Sequence, residues 1–216
     1  MYYLIGYILL FCAYHKISPL NYATKYFFAH VMHNILVMAY TLPVILNILD
    51  NPIQENMYQY IPQKFCSFLA ALHIYHLIFY KISYDEIYHH ILSVYFHFYP
   101  LNKFLLGSLF FMTGLPGGLT YLMLILVKYG YMQKLTEKRI SKNLNLWCRM
   151  PGILFFSSLL FLNIYHNYKN NKIPEIQDLV TLFFMIWNPI HFSKTIVESV
   201  ARSEGNINNG NNGNNE

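Results

Sequence analysis

The chain has 216 residues, 55% of them hydrophobic and 12% charged, with a formal net charge of +5. Soluble chains carry roughly 25% charged residues, so the polar supply here is too small to cover a water-facing surface and an ordinary soluble enzyme is excluded. Cys12, Cys66 and Cys148 are odd in number and far apart in apolar runs, which excludes a disulfide scaffold, and no dense basic face points to nucleic acid.

The expected fold class is all-α, a polytopic transmembrane helix bundle, because ~20 mostly apolar residues cross a bilayer as a helix. The first apolar run, 1–14, lacks the basic front end and small-residue cleavage site of a secretory signal, so an uncleaved first span is expected. The second runs over 27–49, with Pro43 marking a kink. The third covers 65–80. The fourth, 86–99, is short enough to be half-buried or re-entrant, and Pro100 and Asn102 set a turn before the fifth, 104–127. Within the fifth, Gly114, Pro116, Gly117 and Gly118 predict a broken or tightly packed helix. Runs at 151–166 and 179–192 bring the expected count to seven spans.

Seven spans sort the connections into two sets. The set 15–26, 81–85, 128–150 and 193–216 holds 11 of the 15 Lys and Arg residues, six of them in 128–150 alone, while Lys64, Lys103, Lys169 and Lys172 make up the other 4. This bias assigns the long basic loop and the C-terminus to the cytoplasm. The expected domain division is therefore a transmembrane helical domain over 1–202 and a disordered Asn/Gly-rich tail over 203–216.

Ten histidines occur, most of them within or at the ends of apolar runs. Ionisable groups at membrane depth are expensive, ~2.5–3.5 kcal/mol for a carboxylate at a helix centre, so they face a protein interior or a wet cavity. On a helix over 85–99, Glu86, His90, Ser93 and His97 fall within a stripe about 60° wide, and Asp85 and His89 form a neighbouring i, i+4 pair. The carboxylates lie in the first turn, where the helix dipole favours negative charge. Each reaches a histidine one turn inward, the geometry of a carboxylate-oriented general base. His73, His76 and Tyr80 line one face of the third run, and His30 and His33 line one face of the second. If those faces converge, a polar cavity opens near the side carrying the basic loop.

The stretch Asp85-Glu86-Ile87-Tyr88-His89-His90-Ile91-Leu92-Ser93 resembles the motif of the TLC-domain family, which includes the ceramide synthases. There an acidic residue precedes a His-His pair, often followed by Thr at the position of Ser93. Gly117 to Leu122 continuing to Lys128-Tyr129-Gly130, Asn145 to Gly152, and Trp187-Asn188-Pro189-Ile190-His191-Phe192 are similar to later family segments, so that the likeness covers about 25–200. The acid here stands four residues before the pair, and Gly117-Gly118 takes the place of the acidic–Ser motif of many members. The resemblance implies a TLC-like bundle of six to eight membrane helices in the endoplasmic reticulum or a related endomembrane, with a role in lipid metabolism. In catalytic members it implies N-acyl transfer from acyl-CoA to a long-chain base, assisted by the histidines.

Two functions lead. In the first, an acyltransferase, His89 or His90 deprotonates the nucleophile and Asp85 and Glu86 orient the rings. His73, His76, Ser93 and His97 then bind substrate, the basic loop attracts the phosphates of acyl-CoA as co-substrate, and no cofactor or metal ligand is assigned. In the second, the same fold binds lipid or organises the membrane without catalysis, and the histidines are interhelical hydrogen-bond partners at ~0.6 kcal/mol each. Membrane lipids are the expected partners in either case, with room for a homo-oligomer. A metalloprotein is a third reading, resting on His73-x-x-His76 and His89-His90 but lacking the HxxHH box of di-iron membrane enzymes. A proton or ion pathway is a fourth.

Overall fold

The computed structural model describes residues 1–52, 63–82, 84–96, 98 and 102–212, the side chains of 85, 88 and 206–212 excepted. These residues are helical almost throughout, with no strand among them. The helices are α1 (Tyr2–Ile17), α2 (Tyr22–Asp50), α3 (Gln63–Phe79), α4 (Tyr84–Tyr95), α5 (Lys103–Leu109), α6 (Leu115–Lys128), α7 (Lys134–Leu144), α8 (Met150–Lys169) and α9 (Ile176–Asn212). A π turn at Phe110–Gly114 joins α5 to α6, and a second at Asn145–Arg149 joins α7 to α8. The described residues therefore form seven helical rods, one for each apolar run. Three of them, Tyr22–Asp50, Lys103–Lys128 and Lys134–Lys169, are long and apolar enough to cross a membrane.

The long rods bury their polar side chains beside an apolar core that includes Val37, Ile48, Phe104, Phe156 and Met185, and they leave large apolar side chains exposed. On α2, His30, His33, Asn34 and Thr41 are buried while Phe28, Ile35, Leu42, Leu46 and Leu49 are exposed. On α9, Thr181 and Asn188 are buried while Phe183, Ile186 and Ile190 face outward. A helix satisfies its own backbone, so such an exterior is stable in hydrocarbon and costly in water.

Local signals explain the helix boundaries. Asn21 caps α2 by accepting from the Thr24 N–H at 2.9 Å, and Asn102 caps α5 by accepting from the Leu105 N–H at 2.9 Å. Pro116 and Pro151 each stand just after a π turn inside a continuous rod, where the widened turn accommodates a residue with no N–H to donate. Helix α2 passes through Pro43 and remains one element.

The glycine-rich stretch packs tightly. The first π turn and α6 lie along α2 so closely that a Cβ at Gly114 of the turn would stand 2.9 Å from Met38 Cγ, and one at Gly117 of α6 would stand 2.9 Å from Asn34 Nδ2. Thr113 Oγ1 donates to Asn34 Oδ1 at 2.6 Å and fixes this pair of rods.

Two boundaries differ from the sequence expectation. The stretch 128–150 is not a long loop: only 129–133 separate α6 from α7, and the basic residues Lys134, Lys138, Arg139 and Lys142 ride on α7. Helix α9 also runs past Arg202 to Asn212, into the stretch expected to be without order. The two differences share a cause. Lys138 Nζ donates to Ser199 Oγ at 2.9 Å and Ser203 Oγ at 2.7 Å, and Arg139 pairs with Glu204 at 2.8 Å, so α7 and the part of α9 up to Glu204 hold each other in helical form.

Candidate functional site

Residues from every rod except α1 line a cavity of about 240 Å³ inside the bundle. Helix α2 contributes His30, His33 and Asn34, α3 contributes His73, and α4 contributes His89 and Ser93. Thr120 and Tyr121 of α6, Arg149 of the second π turn and Asn188 of α9 complete the polar wall. The i, i+3 spacing of His30 and His33 puts both rings on one side of α2. The three histidine-bearing faces read from the sequence thus meet, at the ends of α2, α3 and α4 nearest the connections 18–21 and 80–83.

The rings are packed, and their contacts decide which nitrogen is free. His30 stacks on Tyr121 at 3.9 Å between centroids and on His76 at 4.5 Å. His73 stands 5.1 Å from His89 and 5.0 Å from His90, edge to face in both cases. His90 Nδ1 lies 2.8 Å from the Glu86 backbone carbonyl, which only accepts, so Nδ1 carries the proton and Nε2 the lone pair. His76 Nδ1 lies 3.3 Å from that Nε2. Both nitrogens of His90 are thereby engaged, and its ring is oriented by the helix backbone and His76 rather than by the Glu86 side chain.

His89 is differently placed. Its Nδ1 lies 3.2 Å from Asn188 Nδ2, a contact spanning α4 and α9, and the ring also packs against Phe184 and Phe192. Arg149 is, among the described residues, the one formally charged side chain on the cavity wall. Its Nη1 donates to Asn145 Oδ1 at 2.7 Å, its Nε is buried without a hydrogen-bond partner, and it makes no ion pair with a described residue. Buried nitrogens of His30, His33 and His73 likewise have no partner among the described residues. The rest of the wall is apolar, with Leu69, Leu72, Phe96, Leu105, Met112 and Phe184 among its residues, and the imidazoles, amides and one guanidinium set in it can bind a polar or anionic head, move a proton and steady negative charge.

The sequence-predicted residues divide accordingly. His73, His89 and Ser93 line the cavity; Ser93 returns its hydroxyl to the His89 backbone carbonyl at 2.8 Å. His76 and His90 stand directly behind His73, and Glu86 is exposed at a second depression of about 230 Å³ shared with His76. The side chains of Asp85 and His97 lie outside the described residues. Sequence reasoning missed Asn34, Tyr121, Arg149 and Asn188 as wall residues. The chain matches no protein-family profile, no curated protein and no solved structure.

Proposed function

We propose that the chain is a multi-pass membrane protein of TLC-like architecture that transfers an acyl group from acyl-CoA to an amine or hydroxyl of a membrane lipid. The observation that supports this reading is the single cavity where His73, His89, Asn188 and Arg149 meet inside an apolar-surfaced bundle. In this reading the seven rods are seven spans, and the Lys and Arg bias sets α7 and the C-terminus in the cytoplasm. The compartment is the endoplasmic reticulum or a related endomembrane, where such lipids are made.

His89 is the base. Proton acceptance at Nε2 requires Nδ1–H, and Asn188 matches that tautomer when its amide presents Oδ1, an exchange of amide O and N that leaves the side chain in place. The nucleophile's lone pair forms the bond to the thioester carbonyl carbon while His89 takes its proton. The C–S bond then breaks, and His89 returns the proton to the leaving thiolate. Arg149 stabilises the negative charge that builds on the carbonyl oxygen. The cytoplasmic basic face of α7 draws in the phosphates of acyl-CoA.

Protein reconstituted in lipid nanodiscs with labelled acyl-CoA and a mixed acceptor pool is expected to form an acyl-lipid, and His89→Ala is expected to abolish it without loss of the folded bundle. Equal lipid products from both proteins contradict the proposal. One observation favours the alternative, a non-catalytic lipid-binding protein of the same fold: the contact of His76 with His90 ties α3 to α4 as structural histidines do. In that case His89→Ala lowers only thermal stability.

A further inference from the structure

We propose that His73, His76 and His90 form a binding site for a divalent transition-metal ion of the zinc class. One ring nitrogen from each of the three lies within 4.8 Å of the others. His73 and His76 reach the site from successive turns of one face of α3, and His90 reaches it from the middle of α4.

The spacing suits a metal. Two nitrogens bound to one tetrahedral zinc at ~2.0–2.1 Å stand about 3.3–3.4 Å apart, and His76 Nδ1 stands 3.3 Å from His90 Nε2. The outer shell is already built. The Glu86 carbonyl fixes the proton on His90 Nδ1, which presents the Nε2 lone pair, the arrangement that holds ligating histidines in register.

The hydrogen bonding also indicates a missing partner. Because His90 Nε2 can only accept, His76 must donate from Nδ1, and its Nε2 lone pair is then buried without a partner on a residue 2% exposed. His73 Nδ1 is buried without a partner as well. Such an orphaned group costs about 1–3 kcal/mol; an ion on His76 Nδ1 would leave His76 Nε2 as an N–H still without a partner, so the ligand set rests on the convergence and spacing of the three rings, with His73 as the unmatched member. A bound ion exchanges the His76–His90 hydrogen bond for two metal–nitrogen bonds and engages His73 too.

Three neutral imidazoles select zinc, copper, nickel or iron over magnesium or calcium. They also leave at least one coordination position for water or substrate. An approach exists, since His76 lines the outer depression together with Tyr26, Tyr80, Lys81 and Glu86. His73 belongs to the inner cavity wall as well, so an ion held here is a Lewis acid bordering that cavity.

The test uses the full chain purified in detergent, with total metal measured after gel filtration in metal-free buffer. The site predicts about one zinc-class ion per chain and, after exchange into Co²⁺, the visible ligand-field absorption of a nitrogen-bound tetrahedral ion. His76→Gln combined with His90→Gln is expected to lose both signals, and His191→Gln is expected to keep both. Monodisperse wild-type protein with no stoichiometric metal and no visible band at saturating Co²⁺ overturns the proposal. So does metal retained equally by the double variant. Metal content is read without turnover, so failure of acyl transfer and failure of this site are separate results.

Discussion

Asn188 of α9 and His89 of α4 meet across the cavity at 3.2 Å, Nδ2 to Nδ1, although 99 positions separate them in the chain. An amide beside an imidazole sets the tautomer of the ring, and the tautomer decides whether His89 offers a proton or accepts one.

Removing that partner is expected to reduce turnover without abolishing it. Asn188→Ala should lower kcat by roughly 10–100-fold, the usual cost of losing an outer-shell orienting group. Asn188→Asp, which can only accept from Nδ1–H, should retain most of the rate. Steady-state acylation in nanodiscs checks both, and equal loss in the two variants would argue against the tautomer role.

Arg149 should matter to the chemical step more than to substrate capture. Arg149→Ala is expected to lower kcat by about 10²-fold with little change in KM, as when one oxyanion-stabilising donor is lost. Arg149→Lys should recover little, because a lysine lacks the planar fork that spans Asn145 and the cavity. Paired kcat and KM measurements distinguish this from a binding role, which would raise KM instead.

Close helix approach makes certain glycines intolerant of a methyl group. A Cβ at Gly107 would lie 2.5 Å from Phe156 Cε1, and one at Gly152 would overlap the Phe111 ring. Gly107→Ala and Gly152→Ala are each expected to cost about 1–3 kcal/mol through overpacking. Gly6→Ala meets nothing within 4 Å and should be neutral or stabilising by up to about 1 kcal/mol. Thermal unfolding in detergent ranks the three.

Asn34 of α2 receives two contacts on Oδ1, from Thr113 Oγ1 of the first π turn at 2.6 Å and from its own neighbour His33 Nδ1 at 3.1 Å. Asn34→Ala should therefore destabilise the pairing of α2 with α6 by about 1–2 kcal/mol, the upper range for interhelical hydrogen bonds in membrane proteins. Thr113→Val removes the same inter-rod hydrogen bond and should weaken the pairing by a similar amount, since the surviving His33 contact lies within α2. A double-mutant cycle on the unfolding midpoint measures the coupling.

The sequence made the rods legible and the cavity wall only partly so. Apolar runs mark all seven rods among the described residues, three of them long and apolar enough to cross a membrane, because hydropathy depends on composition alone. The inward faces of α2 and α3 were readable from the i, i+3 spacing of His30 with His33 and of His73 with His76. Helix α7 was not, because its charged sequence has no apolar run and its helical form depends on Lys138 and Arg139 meeting α9. Asn188 and Arg149 gave no local signal either, since their significance lies in partners brought near only by tertiary packing. The acids carried a clear helical pattern, yet the orienting contact to His90 comes from the Glu86 backbone, a partner that side-chain periodicity does not reveal.

The central claim is that histidines from separate helices meet in one interior cavity, and cysteine cross-linking in intact membranes tests it most directly. In a background with Cys12, Cys66 and Cys148 replaced by serine, His73→Cys and His89→Cys would be combined, since the native rings stand 5.1 Å apart. A short bifunctional methanethiosulfonate is predicted to bridge this pair and to leave a His73→Cys, His166→Cys control unbridged. Failure to bridge the first pair in folded protein, or bridging of both pairs alike, would contradict the account.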